Sequence, residues 1–187
     1  MSDFIWVEKY RPTTIDECFL PKSIKQTFQD FVDDDEWQNS LISDDLKESK
    51  LYSDKRLSKF IIISNNQKYK KIDQKIYSIV SKLVQKYIDD DSRMLNIIRD
   101  EGYTLLRYDK NDKFETHVDE GCNTPKRTLS LIILLNDNFE GGKLSFKDYT
   151  PNLGIGDVII FPSNFMFSHG VEKVTSGSRY SIVSWFS

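Results

Sequence analysis

Apolar positions fall into two textures along this chain, helical before about residue 100 and strand-like after it. Within residues 71–88, Ile72, Ile76, Ile79, Val80, Leu83, Val84 and Tyr87 recur at three- and four-residue spacing, with Lys and Gln opposite. That period predicts an amphipathic helix whose apolar stripe must cover another surface. Pro21 and Ser23, followed by Ile24, Phe28, Phe31 and Val32, predict a shorter helix near the N-terminus. Residues 36–60 are polar and weakly patterned, and read as one or two short helices with loops. Beyond Tyr103, residues 103–108, 127–135, 143–146, 157–161 and 179–186 read as strands. Turn signals such as Glu120-Gly121, Asn136-Asp137, Gly141-Gly142 and Ser176-Gly177 separate them. The expected fold is mainly β with N-terminal helices, a sandwich or barrel with the 71–88 helix packed on one sheet.

Composition narrows the setting more than the chemistry. A length of 187 residues fits one domain with an appendage. The longest apolar run, 131–135, is far shorter than a membrane helix, and charges interrupt residues 1–20, so neither a signal peptide nor a membrane partner is expected. Two cysteines, Cys18 and Cys122, are too few for a disulfide framework and point to a reducing cytoplasm. The net charge is -3, with no basic excess in either half, so no nucleic-acid partner is expected. The acidic clusters at 33–36 and 89–91 read as solvated caps and linkers. Only two histidines exist, His117 and His169, and any imidazole chemistry must use them.

His117-Val118-Asp119 sets two metal-ligand types two residues apart. On a strand such residues face the same side, so imidazole and carboxylate can converge. With His169 they make up the two-His, one-carboxylate set of non-heme Fe(II) oxygenases. Alone, His-x-Asp is equally a surface pair in which Asp119 orients His117. Arg179 opens a strand of apolar and small neighbours, where an unpaired guanidinium is unfavourable. Either a carboxylate-bearing ligand satisfies it in bidentate fashion or a surface acid does.

Taken in order, Tyr103-Thr-Leu-Leu-Arg-Tyr108, His117-Val-Asp119, 127–136, Glu140-Gly-Gly-Lys-Leu-Ser-Phe146, 156–162, Ser168-His169-Gly-Val171 and 179–185 resemble the prolyl 4-hydroxylase branch of Fe(II)/2-oxoglutarate dioxygenases. The resemblance implies a double-stranded β-helix, or jelly roll, over roughly 100–187. It matches His117, Asp119 and His169 to the iron ligands and catalytic set. Arg179 matches the residue that pairs with the distal carboxylate of 2-oxoglutarate, and Tyr108 a tyrosine lining the same pocket. Ile132, Leu144, Val171 and Val183 would be its apolar walls, or equally ordinary core. Arg127 and Trp185 would border the substrate; the alternatives are a rim salt bridge and a core aromatic. One departure is Leu134, where the family often has a tyrosine that reaches the co-substrate. Weaker 2-oxoglutarate binding, or compensation by Tyr108 or Ser181, would follow. The implied cofactors are Fe(II), 2-oxoglutarate and O2, with ascorbate as a further candidate. The implied reaction hydroxylates a prolyl residue of a protein or peptide and releases succinate and carbon dioxide.

The opening stretch through Pro21, with Glu8-Lys-Tyr-Arg-Pro12 at its centre, resembles the start of a T4-like phage sliding-clamp-loader small subunit. No phosphate-binding Gly-x-x-x-x-Gly-Lys loop follows, so ATP hydrolysis is not expected. This resemblance suggests a phage origin, a host-cytoplasm location and a clamp-loader-related partner for residues 1–32. The expected organisation is therefore 1–35 as a separate segment and 36–187 as the dioxygenase domain. Within the latter, 36–100 would give helical support and 101–187 the jelly-roll core. Two other classes of function remain: a jelly roll that binds metal or carboxylate without turnover, and a replication-associated interaction module.

Overall fold

Alternation along the C-terminal strands sorts their side chains onto two faces, and each face builds a core of its own. The computed structural model describes residues 36–40, 42–43, 49–50, 55–90, 97, 99–121 and 126–187. The helix expected at 21–32, both cysteines and the clamp-loader-like stretch lie outside the described residues. The first half holds the short strands β1 (Gln38–Asn39), β2 (Ile42–Ser43), β3 (Ser49–Lys50), β4 (Arg56–Leu57) and β5 (Lys59–Ile62), then helix α1 (Lys70–Asp90). The second half holds β6 (Thr104–Tyr108), β7 (Lys113–His117), β8 (Leu129–Leu134), β9 (Phe139–Gly141), β10 (Leu144–Phe146), β11 (Val158–Pro162), β12 (His169–Val171), β13 (Val174–Gly177) and β14 (Arg179–Phe186).

A large sheet runs in the order β1-β5-β6-β14-β8-β11, and a small one in the order β10-β12-β7-β4. Two further two-stranded sheets are β13-β9 and β2-β3. Neighbours are antiparallel, and β14 lies at the centre of the large sheet, with Ser181 opposite Leu106 of β6 and Leu134 of β8. Side chains of one parity, Leu105, Leu131, Ile133, Tyr180 and Ile182, form the outer core with Ile76, Val80, Leu83 and Val84 of α1. Side chains of the other parity, Leu106, Ile132 and Val183, meet Leu144 and Val171 of the small sheet in an inner core. Two sheets packed face to face with a helix behind the larger one are the jelly roll expected from the strand pattern.

The 71–88 stripe is thereby accounted for: its apolar residues cover the outer face of the large sheet. Leu83 is among the most deeply buried of them. Leu83→Ala is expected to destabilise the domain by ~2–5 kcal/mol through lost transfer energy and a residual cavity, as read by chemical denaturation.

One region departs from expectation. Residues 36–60 supply strands rather than helices among the described positions, and β5 lies antiparallel beside β6 from Lys59–Arg107 to Ile62–Thr104. A strand of four residues offers too few alternations to show its period in a polar stretch, so its identity comes from its partner. Among the described residues, 36–100 hold α1 together with strands β1 to β5. Among the described residues no helix is long and apolar enough to cross a membrane.

Candidate functional site

The two histidines meet because of a register. On the small sheet His117, the last residue of β7, lies directly opposite His169, the first residue of β12. Gly170 lets those backbones approach, since a Cβ there would fall 2.7 Å from the Phe114 carbonyl oxygen. The imidazole centroids are 4.4 Å apart. Phe114 stacks on His117 at 3.7 Å, and Phe161 meets His169 edge-on at 4.8 Å. Each ring places its Nδ1 3.0 Å from the carbonyl oxygen two residues earlier, that of Glu115 for His117 and of Phe167 for His169. A carbonyl only accepts, so Nδ1 carries a proton in both rings and Nε2 is the nitrogen left to face the cluster.

Asp119 faces those Nε2 atoms. Its Oδ1 is 3.5 Å from His117 Nε2 and its Oδ2 3.5 Å from His169 Nε2. One donor atom from each of the three residues lies within 4.8 Å of the other two. The route differs from the strand spacing expected for His-x-Asp. Asp119 sits two residues beyond the end of β7, in a bend, and a hydrogen bond of 2.6 Å from Ser130 Oγ holds its Oδ2. Burial pushes the Asp119 carboxyl up, but the His117 hydrogen bond, His169 and Ser130 outweigh it and hold it well below the usual carboxylate range. Burial also pushes His169 down from its ordinary value, against the pull of Asp119. A buried carboxylate held ionised between two imidazole Nε2 atoms is a donor set that a divalent transition metal takes.

These shifts carry a sign for stability. A histidine depressed in the folded state leaves the unfolded chain binding more protons below its ordinary value of 6.5. Metal-free protein is therefore expected to lose stability as pH falls below 6.5, and His169→Gln to flatten that slope. Thermal melts in chelator between about pH 5 and 8 would read it.

Arg179 and this cluster line one cavity of about 630 Å³. The side chain is 2% exposed. Gly142, at φ +58, packs beneath it, where a Cβ would come 3.2 Å from Arg179 Cδ. Its Nη1 donates to Ser181 Oγ at 2.9 Å, and its guanidinium lies 5.7 Å from the Tyr108 ring centre. Among the described residues no carboxylate pairs with it, and the buried Tyr108 hydroxyl has no hydrogen-bond partner there. Burial pushes the guanidinium below its ordinary value. Buried polar groups normally have partners, so a lone guanidinium and an idle phenol in one cavity fit an incoming carboxylate.

The remaining expected residues divide. Ile132, Leu144, Val171 and Val183 are buried and line the cavity. Leu134 is buried too, on the strand beside Ser181, so the hydroxyl nearest that leucine by register is the one Arg179 already engages. Arg127 and Trp185 line the mouth as a stacked pair, the guanidinium 3.9 Å from the ring centre. Arg127 is also held by Glu101, with Nη2 at 2.8 Å, so the rim salt bridge exists. Sequence reasoning missed Ser130, Ser163, Phe114 and Glu101. Ser130 left a signal, a single hydroxyl inside the apolar run 129–135.

The outward comparisons agree with this geometry. A curated PKHD-type hydroxylase of Idiomarina loihiensis is 34% identical over 89 residues, covering 44% of this chain and 40% of that protein. Another, of Prochlorococcus marinus, is 29% identical over 155 residues, covering 79% of this chain and 67% of that one. The chain thus spans about two fifths of the first relative's length. A Trichoplax adhaerens prolyl hydroxylase, solved with a peptide fragment of the hypoxia-inducible factor oxygen degradation domain, superposes with TM-score 0.71 at 19% identity, covering 90% of this chain and 80% of that one. A collagen prolyl hydroxylase of Paramecium Bursaria Chlorella virus-1, solved with 2-oxoglutarate, gives 0.64 at 14% identity, covering 90% and 92%. The clamp-loader resemblance finds no support in these similarities. The fold is the double-stranded β-helix of 2-oxoglutarate oxygenases, and residues 103–187 match the model of the 2OG-Fe(II) oxygenase superfamily.

Proposed function

We propose that this chain is an Fe(II)- and 2-oxoglutarate-dependent hydroxylase acting on prolyl residues of a protein or peptide. Residues 36–187 are its domain and 101–187 its jelly-roll core. The observation that carries the reading is Arg179: a buried guanidinium without a carboxylate partner among the described residues shares one cavity with His117, Asp119 and His169. The similarity to PKHD-type hydroxylases and prolyl hydroxylases supports it.

Bound iron, with 2-oxoglutarate and O2, supplies the oxidising power that puts one oxygen atom into a C–H bond while 2-oxoglutarate becomes succinate and carbon dioxide. The protein does the rest. His117 and His169 present their Nε2 atoms and Asp119 its carboxylate from one side, which leaves the cavity side open. Arg179 and Tyr108 take the far carboxylate of 2-oxoglutarate, with Ser181 steadying the guanidinium. Ile132, Leu144, Val171 and Val183 keep water from the co-substrate's methylene groups. Arg127 and Trp185, stacked at the mouth, form a rigid rim against which a peptide rests.

Incubation with Fe(II), ascorbate, 2-oxoglutarate and proline-containing peptides tests the reading. Succinate release, with a mass gain of one oxygen located on proline, is the expected result. A gain on another residue would overturn the prolyl assignment, and no succinate above a His117→Ala control would overturn the hydroxylase.

A further inference from the structure

The two histidines and the aspartate are not held by the same part of the fold. His117 and His169 belong to the small sheet and are fixed by its register. Asp119 lies beyond the end of β7, where no strand pairing among the described residues holds it. Its carboxylate is instead bonded to the large sheet, where Ser130 of β8, 1% exposed, donates to Oδ2 at 2.6 Å. Ser130 Oγ also lies 2.8 Å from Ser163 Oγ, in a residue 2% exposed. A hydroxyl has one proton, and Ser130 gives it to a carboxylate oxygen that can only accept. Ser163 must therefore donate to Ser130, so the relay runs one way, Ser163 to Ser130 to Asp119. The Ser163 main chain completes the clamp. Its carbonyl accepts from Glu120 N–H at 3.0 Å, and its N–H donates to the Thr128 carbonyl at 3.0 Å.

From this we infer that Ser130, backed by Ser163, is a positioning residue that fixes the Asp119 carboxylate for metal binding; the inference rests on the metal centre of the proposed function. With Oδ2 engaged by a hydroxyl, the carboxylate is prevented from turning to embrace a metal with both oxygens. The ligand set is thereby kept open on the cavity side, where co-substrate and oxygen must enter. The same relay ties the small sheet's end to the large sheet, so metal geometry depends on how the two sheets face each other. A merely structural role for Ser130, satisfying a buried acid, would lower folding stability and leave the metal affinity of folded protein unchanged.

Wild type, Ser130→Ala, Ser130→Thr, Ser163→Ala and His169→Ala, stripped with chelator and checked for folding by circular dichroism, would be titrated with Co(II). Affinity and the shape of the visible absorption of the bound ion are the readouts. Ser130→Ala is expected to bind Co(II) ~10–100-fold more weakly, with altered absorption, as expected for a lost partner of a metal-ligating carboxylate. Ser130→Thr, which keeps the hydroxyl, should stay near wild type, and Ser163→Ala should show a smaller loss. His169→Ala should lose binding. Wild-type affinity and absorption in Ser130→Ala would overturn the positioning role while leaving the metal centre intact. Should Ser130→Ala fail to fold, unchanged affinity and absorption in Ser163→Ala would overturn it. A wild-type protein that takes up no Co(II) would overturn the metal centre itself, and the relay's role with it.

Discussion

His169→Ala is expected to cut succinate formation from 2-oxoglutarate by at least ~100-fold, beyond the range seen when only a ligand's supporting partner is lost. The reason is arithmetic as well as geometric. His117 and His169 are the only histidines in the chain, so no imidazole exists to take the vacant place. His169 is also 4% exposed and surrounded by Phe146, Phe161 and His117, so water filling its place would meet mostly apolar surface. Chelator should silence the wild type equally, with Fe(II) restoring it, whereas Fe(II) should not restore His169→Ala. Coupled succinate measurement on both proteins reads the effect. Wild-type turnover in the variant would remove His169 from the catalytic set and with it the proposed reaction.

Arg179→Met is expected to move activity and stability in opposite directions. Under the proposed function the buried guanidinium pairs with the far carboxylate of the co-substrate, and losing one partner of a buried charge pair costs about 2–5 kcal/mol. At 1.4 kcal/mol per tenfold, the KM for 2-oxoglutarate should rise by roughly 30-fold or more. In the metal- and ligand-free protein the same change removes a buried charge that, among the described residues, is held only by Ser181 and the Tyr108 ring. Replacing buried charge by apolar volume is often stabilising by about 1–4 kcal/mol, so apo Arg179→Met should melt higher than wild type. Arg179→Lys should keep the charge but lose the planar fork, giving an intermediate KM. An unchanged KM in Arg179→Met would assign the 2-oxoglutarate carboxylate elsewhere, and a lower apo melting point would mean the guanidinium stabilises the empty fold.

Much of the architecture was legible because it repeats. The α1 stripe shows its period over five turns, and its residues Ile76, Val80, Leu83 and Val84 are buried as that period requires. The strand predicted over 179–186, set off by the Ser176-Gly177 turn signal, is found with those bounds. Strands of two to four residues, such as β5, β9, β12 and β13, carry too few alternations to display a period and became visible only in their pairings. Arg127 could be placed near the pocket, but its pairing with Glu101, 26 positions away, has no local signature.

The sequence by itself determined the chemistry on offer: two imidazoles, one nearby carboxylate, and a guanidinium in an apolar strand. It also determined the two faces of the long strands, because side-chain direction follows residue parity. Only the tertiary structure decided how those groups meet. Register across β7 and β12 sets His117 against His169, 52 residues apart in the chain. A hydroxyl on the opposite sheet, rather than strand spacing, holds Asp119 to them. The absence of a carboxylate partner for Arg179 among the described residues is likewise a fact of packing. Such meetings join positions far apart in the chain, and local periodicity carries no information about contacts of that kind.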